Sequence, residues 1–554
     1  MTSNELRENF LFFFKKNGHE IVPSSSLLPT DPSVLFTTAG MQQFKEYFLG
    51  KESPYGKRVT SCQKCFRTSD IDNVGDASHL TFLEMLGHFS FGSYFKEEAI
   101  RLAYDFLFKE LKLSLENVVF TFFEGDQNIP EDKESAQIWR KLGIPENKIK
   151  KCGKDDNFWG PTGKEGPCGS TTEIHFNGAE VWNLVFNEYY QDKDKKLTPL
   201  KQKGVDTGMG LERLAMIVQN KPSVFETDLF FPILAEISGR DEKTRRIIAD
   251  HIKSSVFLIS EGILPSNIER GYVLRRILRR AIRYGKLLNL PPEFLIPLAQ
   301  KVIEMYKDIY PEVKSHETDT LTVIQNEEEK FEITLETGLK EVDRMIVSEG
   351  GSTGAAAFDI YQTHGFPLEM TEEIVSEKGK KIKNREEFFV LSKKHQEISR
   401  AGAEKKFGGG GEFSPKLHTA THLLNAALRK VLGGHVKQMG SDITLQRLRF
   451  DFPHPQKMTE EEIKEVEDLV NQKIKEDLPV VCEEMTLERA KEKGVMGVFE
   501  NKYGERVKVY SVSEFSKEIC GGPHVKKTSE LGHFRIVKEE SCGANIRRIR
   551  AVLE

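Results

Sequence analysis

Long apolar runs are missing from this 554-residue chain. No stretch approaches the roughly 20 residues that a bilayer span needs, which sets membrane-spanning classes aside. Cysteine is scarce too: seven thiols, an odd and widely spaced set, make no disulfide framework and fit a reducing, cytoplasmic setting. The first residues, MTSNELRENFLFFFKKNGHE, offer no basic leader before an apolar run and no small-residue cleavage site. Their LFFF patch is broken by lysines and reads as a helix face, not a signal segment. Neither sign of charge dominates, since 80 Lys+Arg face 85 Asp+Glu for a formal net charge of −5. That balance does not announce a nucleic-acid binder. Internal repeats and a C-terminal heptad run are also absent. What is there, 30% charged and 38% hydrophobic residues with 37 Phe, suits a soluble globular protein and argues against global disorder. The length suggests roughly three to five domains.

The pattern along the chain is uneven. Residues 1–237 mix aromatic and β-branched runs (RVTSC, LTFLEML, VVFTFFE, AEVWNLVFNEYY) with helical segments such as EEAIRLAYDFLFKEL, which predicts an α+β domain on an antiparallel sheet. Residues 238–403 are almost wholly helix-periodic and predict a second, helical domain. Residues 404–416 hold four consecutive glycines, Gly408 to Gly411. No Gly-Lys-Ser/Thr follows them, so a linker fits better than a phosphate-cradling loop. Residues 417–554 open on the helix LHTATHLLNAALRKVL and return to strands in LPVVCEEM, ERVKVYSV and GHFRIVKEE. The whole is an α+β multidomain chain.

Three constellations carry chemistry. His418 and His422, four apart on a helix, share one face, and Cys520-x-x-x-His524 brings two further donors around Gly521 and Gly522. Three imidazoles and a thiolate suit tetrahedral zinc. Cys62-x-x-Cys65 lacks a second pair and reads as structural or incidental. In the N-terminal domain, Arg67 precedes the loop TSDIDNVGDASH, while GVDTGMGLERLAMI places Arg213 at a helix start. Two arginines can hold the phosphates of a bent nucleotide with bidentate geometry. Trp159, Asn183, Val185 and Asp206 suggest a small pocket for an amine and a short side chain. Third, RGYVLRRILRRAIRYGK puts Arg275, Arg276, Arg279, Arg280 and Arg283 opposite an apolar helical stripe, without glutamate partners at i±4. That face predicts phosphate binding.

Together these residues resemble the alanyl-tRNA synthetases, a family of class II aminoacyl-tRNA synthetases. The matching segments include LFTTAGMQQFKEYFLG, FLEMLGHFSFGSYFK, DNFWG, WNLVF, VDTGMGLERL, ADHIKSS, GILPSNIERGYVLRRILRRAIR, HTATHLLNAALRKVLG, RLRFDF and CGGPHV, spread over almost the whole chain. The resemblance implies a class II catalytic domain at 1–237, a helical acceptor-stem recognition domain at 238–403 and a zinc-containing editing domain at 417–554. It implies that Arg67 binds the α-phosphate of ATP and the alanine carboxylate, and that Phe82 and Arg213 sandwich adenine. Trp159, Val185 and Asp206 would enclose alanine, with Asp206 on its ammonium and Asn183 nearby. The product would be alanyl-adenylate, formed with magnesium, then alanyl-tRNA(Ala). His418, His422, Cys520 and His524 match the zinc ligands of the editing domain, and Gln438 matches a residue lining its pocket. That domain would hydrolyse seryl- or glycyl-tRNA.

The chain departs from the pattern of the family it resembles in three places. The β-barrel that usually precedes the H-x-x-x-H helix is replaced by the glycine linker. The chain ends at RRIRAVLE, where relatives continue into a dimerisation and tRNA-binding domain, so a monomer is expected. Asn267 matches one of the two residues that read the acceptor-stem G·U pair, but Gln362 stands where an acidic residue is usual. A neutral amide donates as well as accepts, unlike a carboxylate. Two alternatives are a deacylase alone and a non-catalytic RNA-binding relative; intact Arg67, Asp206 and Arg213 argue against both.

Overall fold

The computed structural model describes residues 1–31, 33–348, 351–395, 414–486, 489–490, 506–543 and 546–554. The glycine run Gly408–Gly411 lies outside them. The chain divides into two compact units, one joining Met1–Glu349 to Ile360–Lys381 and the other Gly350–Asp359 to Ile382–Glu554. Among the described residues, no helix is long and apolar enough to cross a membrane.

The first unit is built on one sheet. Its strands are β1 (Glu20–Ile21), β2 (Arg58–Phe66), β3 (Phe82–Phe91), β4 (Val118–Phe123), β5 (Ile149–Cys152), β6 (Phe158–Trp159), β7 (Gly166–Phe176), β8 (Ala179–Gln191) and β9 (Leu197–Gly210). They pair in the order β1-β2-β3-β9-β8-β7-β4-β5, with β6 attached to β7. The two outermost pairs are parallel and every other pair is antiparallel. This is the antiparallel sheet anticipated from the aromatic and β-branched runs. The helix α1 (Ser3–Lys16) starts at a capping box, in which the Thr2 hydroxyl accepts from the Glu5 N–H while the Glu5 carboxylate accepts from that of Thr2. Its LFFF patch is divided by helical period: Phe14 is buried on one side with Leu6 and Phe10, while Phe12 is exposed.

Strand β3 fixes how the unit is assembled, because its side chains alternate between two environments. Leu83, Met85 and Phe89 point towards one face, where Met41, Phe44 and Trp159 pack. Phe82 and Glu84 point to the other, against the helical part of the unit. Glu84 is wholly buried and accepts from Arg7 Nε at 2.9 Å, Arg7 Nη2 at 2.8 Å and the Tyr310 hydroxyl at 2.8 Å. A second buried pair, Lys253–Glu212 at 3.2 Å, adjoins it, since the Glu212 carboxylate also accepts from the Glu84 N–H. Cys62 and Cys65 are both free and buried in β2 on opposite faces, Cys62 being 3.6 Å from Glu84. They share no ligand site, as the lone Cys-x-x-Cys suggested.

The helical segments include α2 (Leu211–Val218), α3 (Glu242–Ser260), α4 (Glu269–Leu287), α5 (Leu295–Tyr306) and the 31-residue α6 (Glu317–Val347). In the second unit, the helix α7 (Pro415–Leu432) begins two residues inside the expected linker, with Ser414 as its N-cap. It packs with α8 (Glu460–Lys475) against a four-stranded antiparallel sheet, Gly440–Ile443, Leu448–Pro453, Ile546–Leu553 and Phe534–Gly543 in spatial order. A three-stranded sheet (Val480–Thr486, Arg506–Val512, Ser516–Ile519) completes it.

Removing one partner of a buried ion pair strands the other charge without water. Arg7→Ala is therefore expected to lower unfolding free energy by about 3–5 kcal/mol in urea titrations. Lys51→Ala, which breaks an exposed pair with Glu46, is expected to leave the urea transition where it is in the parent chain.

Candidate active site and metal cluster

A cavity of the first unit, about 290 Å³, opens on the face of the sheet that carries Leu83 and Met85. Strand register builds it. Val185 and Phe89 flank Asp206 on β8 and β3, and two residues along the same strands Asn183 stands opposite Gly208, with Glu173 of β7 beyond it. A period of two puts Asn183, Val185, Asp206 and Gly208 on one side. A Cβ at Gly208 would stand 2.9 Å from Met85 Sδ, so glycine there keeps the floor open. Trp159, on β6, closes one wall.

Arg67 and Arg213 both line this cavity, half-buried. The Arg67 N–H donates to Thr81 O at 2.8 Å, and its Nε reaches Thr38 O at 3.3 Å. Arg213 Nη1 donates to Glu180 O at 2.7 Å. Asp206 is 5% exposed, and burial pushes its carboxyl up to about 7. The Asn183 amide donates to Glu173 at 2.8 Å, and burial raises the Glu173 carboxyl as well. Of the expected catalytic-domain residues, Arg67, Arg213, Trp159, Asn183, Val185 and Asp206 thus share one cavity.

Phe82 does not. It is fully buried on the opposite face of β3, stacked on Phe257 with ring centres 4.0 Å apart. The expected adenine contact is therefore corrected: strand alternation offers Leu83 to the cavity and Phe82 to the core. Six acidic residues that the sequence reading left without a role, Asp70, Asp155, Asp156, Glu173, Glu180 and Glu212, line the same cavity with His79. Glu173 stands directly opposite Asn183 in a hairpin of which the sequence reading marked only the second strand.

The basic helix α4 is also corrected. Its arginines do not form a free phosphate-binding face. Arg279 pairs with Glu327 at 2.6 Å, Arg280 with Glu373 at 2.7 Å, and Arg276 with Asp72 at 2.5 Å. Arg275 lies 3.3 Å from Glu327 and donates to the Asn267 side-chain oxygen. These carboxylates are distant in sequence, so a search at i±4 cannot find them. Asn267 and Gln362 are exposed.

In the second unit, His418, His422, Cys520 and His524 offer ligand atoms that all lie within 4.8 Å of one another. His418 and His422 come from α7; Cys520 follows the strand Ser516–Ile519. A Cβ at Gly522 would stand 1.8 Å from His418 Cε1, so only glycine lets this turn approach the helix so closely. His418 Nδ1 and His524 Nε2 are buried without a hydrogen-bond partner, as expected of nitrogens in a metal-binding cluster. Burial would raise the Cys520 thiol, but the three histidines outweigh it and hold it at about 3, in the thiolate form a metal requires. The sequence reading missed Glu518, which is buried two residues before Cys520 on the same face. Its carboxylate lies 2.9 Å from His422 Nδ1 and accepts from the Asn425 amide at 2.9 Å. Gln438 donates to Ser441 at 3.1 Å.

A family model for class II (A) tRNA synthetases matches residues 5–427, the stretch that contains the cavity. A second model, for the second additional domain of threonyl and alanyl tRNA synthetases, matches residues 507–550, which hold Cys520 and His524. Relatives agree over the full chain. An alanine–tRNA ligase of Treponema denticola is 48% identical over 100% of this chain and 99% of its own. One from Borrelia hermsii is 46% identical, with all of both chains covered. The chain belongs to the alanine–tRNA ligases. In a longer relative, from Petrotoga mobilis, it covers 80% at 38% identity.

The cluster makes a metal content measurable. The purified chain is expected to retain one equivalent of metal through dialysis, and replacing Cys520 and His524 together should abolish it. Gly522→Ala should weaken retention against a chelator by roughly 10-fold or more by displacing His418.

Proposed function

We propose that the chain joins L-alanine to tRNA(Ala) at the expense of ATP, through alanyl-adenylate, and hydrolyses mischarged tRNA in its second unit. The observation that carries this reading is the shared cavity: two arginines for phosphates, and in the same cavity a desolvated carboxylate walled by Val185 and Trp159. The reading is of a cytoplasmic enzyme, in keeping with seven free cysteines.

Asp206 receives the alanine ammonium, a contact strengthened by exclusion of water. Val185 and Trp159 limit the side chain. Arg67 holds the α-phosphate and the alanine carboxylate, whose oxygen attacks phosphorus in line; a phosphorus–oxygen bond forms and pyrophosphate departs. Positioning and charge stabilisation supply the rate, with no covalent chemistry from the protein. Glu173 and Glu180, beside Arg213, are the carboxylates that would hold magnesium with ATP, where it offsets phosphate charge. Leu83 takes the place first given to Phe82 at the adenine. In the second unit, zinc is the metal that three imidazoles and a thiolate suit best. Four protein ligands make a closed set, so zinc would tie the Cys520–His524 turn to α7. Glu518 would orient the His422 ring and Gln438 would line the pocket for the mischarged ester. At the acceptor stem, Arg275 fixes the Asn267 oxygen and leaves its amide hydrogens for the wobble pair, with Gln362 as the second reader.

Alanine-dependent pyrophosphate exchange is expected to fall at least ~100-fold in Arg67→Ala. The pH dependence has a definite sign. The ammonium binds the ionised carboxylate, so protons compete with it below the raised value of Asp206, about 7. Between about pH 8 and about pH 6, kcat/KM for alanine should fall with acid, approaching tenfold per unit below that value. Asp206→Asn should lose both the activity and the slope. Charging of paired transcripts with G·U or G·C in the acceptor stem tests Asn267 and Gln362: preference for G·U supports wobble reading, and equal charging places identity elsewhere.

A further inference from the structure

The segment ADHIKSS is buried in the middle of α3 and contributes no residue to the lining of the cavity, yet it carries an aspartate and a histidine with no exposure at all. Their hydrogen bonds run in one direction, towards Arg67. Arg67 N–H donates to Thr81 O at 2.8 Å. Thr81 in turn donates to Asp250 twice, from its N–H at 2.9 Å and its hydroxyl at 2.6 Å. The oxygen that takes the hydroxyl, Asp250 Oδ2, also lies 2.9 Å from His251 Nδ1. His251 Nε2 lies 3.0 Å from Arg280 Nη1. A guanidinium only donates, so Nε2 must accept, the proton must sit on Nδ1, and it must point at Asp250. One tautomer of neutral histidine satisfies both neighbours.

Arg280 does more than terminate this chain. The same Nη1 donates to Ile71 O at 2.8 Å, inside the loop between Arg67 and Thr81, while Glu373 holds the rest of the guanidinium through Nε and Nη2. The loop is fastened at other points from the same side, by Arg276 on Asp72 and by Arg246 on Asp76 O at 3.2 Å. Thr81 and Ile71, which anchor the loop behind Arg67, are therefore held from α3 and α4.

We propose that Asp250, His251 and Arg280 are positioning residues for Arg67, acting through Thr81 and Ile71. This rests on the reading that Arg67 holds the α-phosphate. The basic helix then serves the adenylation pocket by fixing a loop from behind, in place of the direct phosphate contact its sequence suggested. A misplacement of about 1 Å at a reacting centre is enough to cost on the order of 100-fold, so a buried relay of this length is worth its desolvated groups.

The test is a double-mutant cycle in pyrophosphate exchange with His251→Ala and Arg67→Lys, the latter chosen so that residual activity stays measurable. His251→Ala is expected to lower kcat by about 10-fold with little change in KM for alanine. His251→Gln, which keeps one donor and one acceptor, should recover most of it. In the Arg67→Lys background the His251→Ala effect should shrink to less than about 2-fold. Equal effects in both backgrounds, or wild-type kcat in His251→Ala, would overturn the proposal. Should His251→Ala not fold, Arg280→Lys enters the same cycle, since lysine cannot hold Glu373, His251 and Ile71 at once. Amide hydrogen exchange gives a readout independent of activity. The Arg67 N–H should exchange about 10-fold faster in the variant while amides in the middle of α5 are unchanged; unchanged exchange at Arg67 rejects the relay. If the wild-type chain shows no alanine-dependent exchange, the functional reading fails, and the amide measurement alone decides the relay.

Discussion

A carboxylate buried out of reach of water governs the architecture of the first unit. Glu84 has no exposure, and an isolated charge there would be prohibitively unfavourable. It is satisfied from two distant parts of the chain, by the Arg7 fork and by the Tyr310 hydroxyl. Arg7 holds the carboxyl below its usual range against the opposing effect of burial, and Glu84 raises Arg7 in return. The helix α1, the strand β3 and the segment between α5 and α6 are thereby tied to one point. The same constraint fixes the active face. A slip of β3 by one residue would exchange its two sets of side chains, sending Glu84 into the cavity and Met85 into the ion-pair cluster. Desolvated charge on one face thus sets the register by which Leu83 and Met85 shape the other.

Charges throughout this unit face inward more than composition suggests. Arg280, Lys253, Asp250 and His251 are all buried, and each is paired. Groups of this kind contribute little net stability once desolvation is counted, but each tolerates only one arrangement of neighbours. In the proposed reading, where the reaction depends on placing two arginines and a carboxylate around substrates, that selectivity is the useful property. The apolar side chains drive collapse; the buried pairs decide which collapsed form is reached.

How much of this could be read in advance followed the range of the interactions. The sheet, the helix start at Arg213 and the cavity set of Trp159, Asn183, Val185 and Asp206 were legible because period-two and period-3.6 patterns are local. The His418/His422 and Cys520/His524 pairs were legible for the same reason, each being a fixed spacing on one element. Phe82 failed by a single residue of phase: both Phe82 and Leu83 are apolar, and composition cannot say which one faces the cavity. The α4 arginines failed because Glu327 and Glu373 lie some 50 and 90 positions away along the chain. Glu518 went unnoticed although it alternates with Cys520, because a carboxylate behind a metal ligand has no signature of its own.

The two units meet a single chemical limitation from opposite ends. In the proposed reading, the strongest contact in the alanine niche is the ammonium on Asp206, a group whose burial makes its charge expensive until a cation arrives. Glycine and serine carry the same ammonium and the same carboxylate, so neither Asp206 nor Arg67 distinguishes them from alanine. Selection is left to the walls at Val185 and Trp159, and one methyl group in an apolar niche is worth only ~1–3 kcal/mol. Tightening the walls against serine does nothing against glycine, which is smaller than the space it enters. No refinement of the first cavity removes both errors, which is the physical reason for a second unit that inspects the product after the bond to tRNA is made.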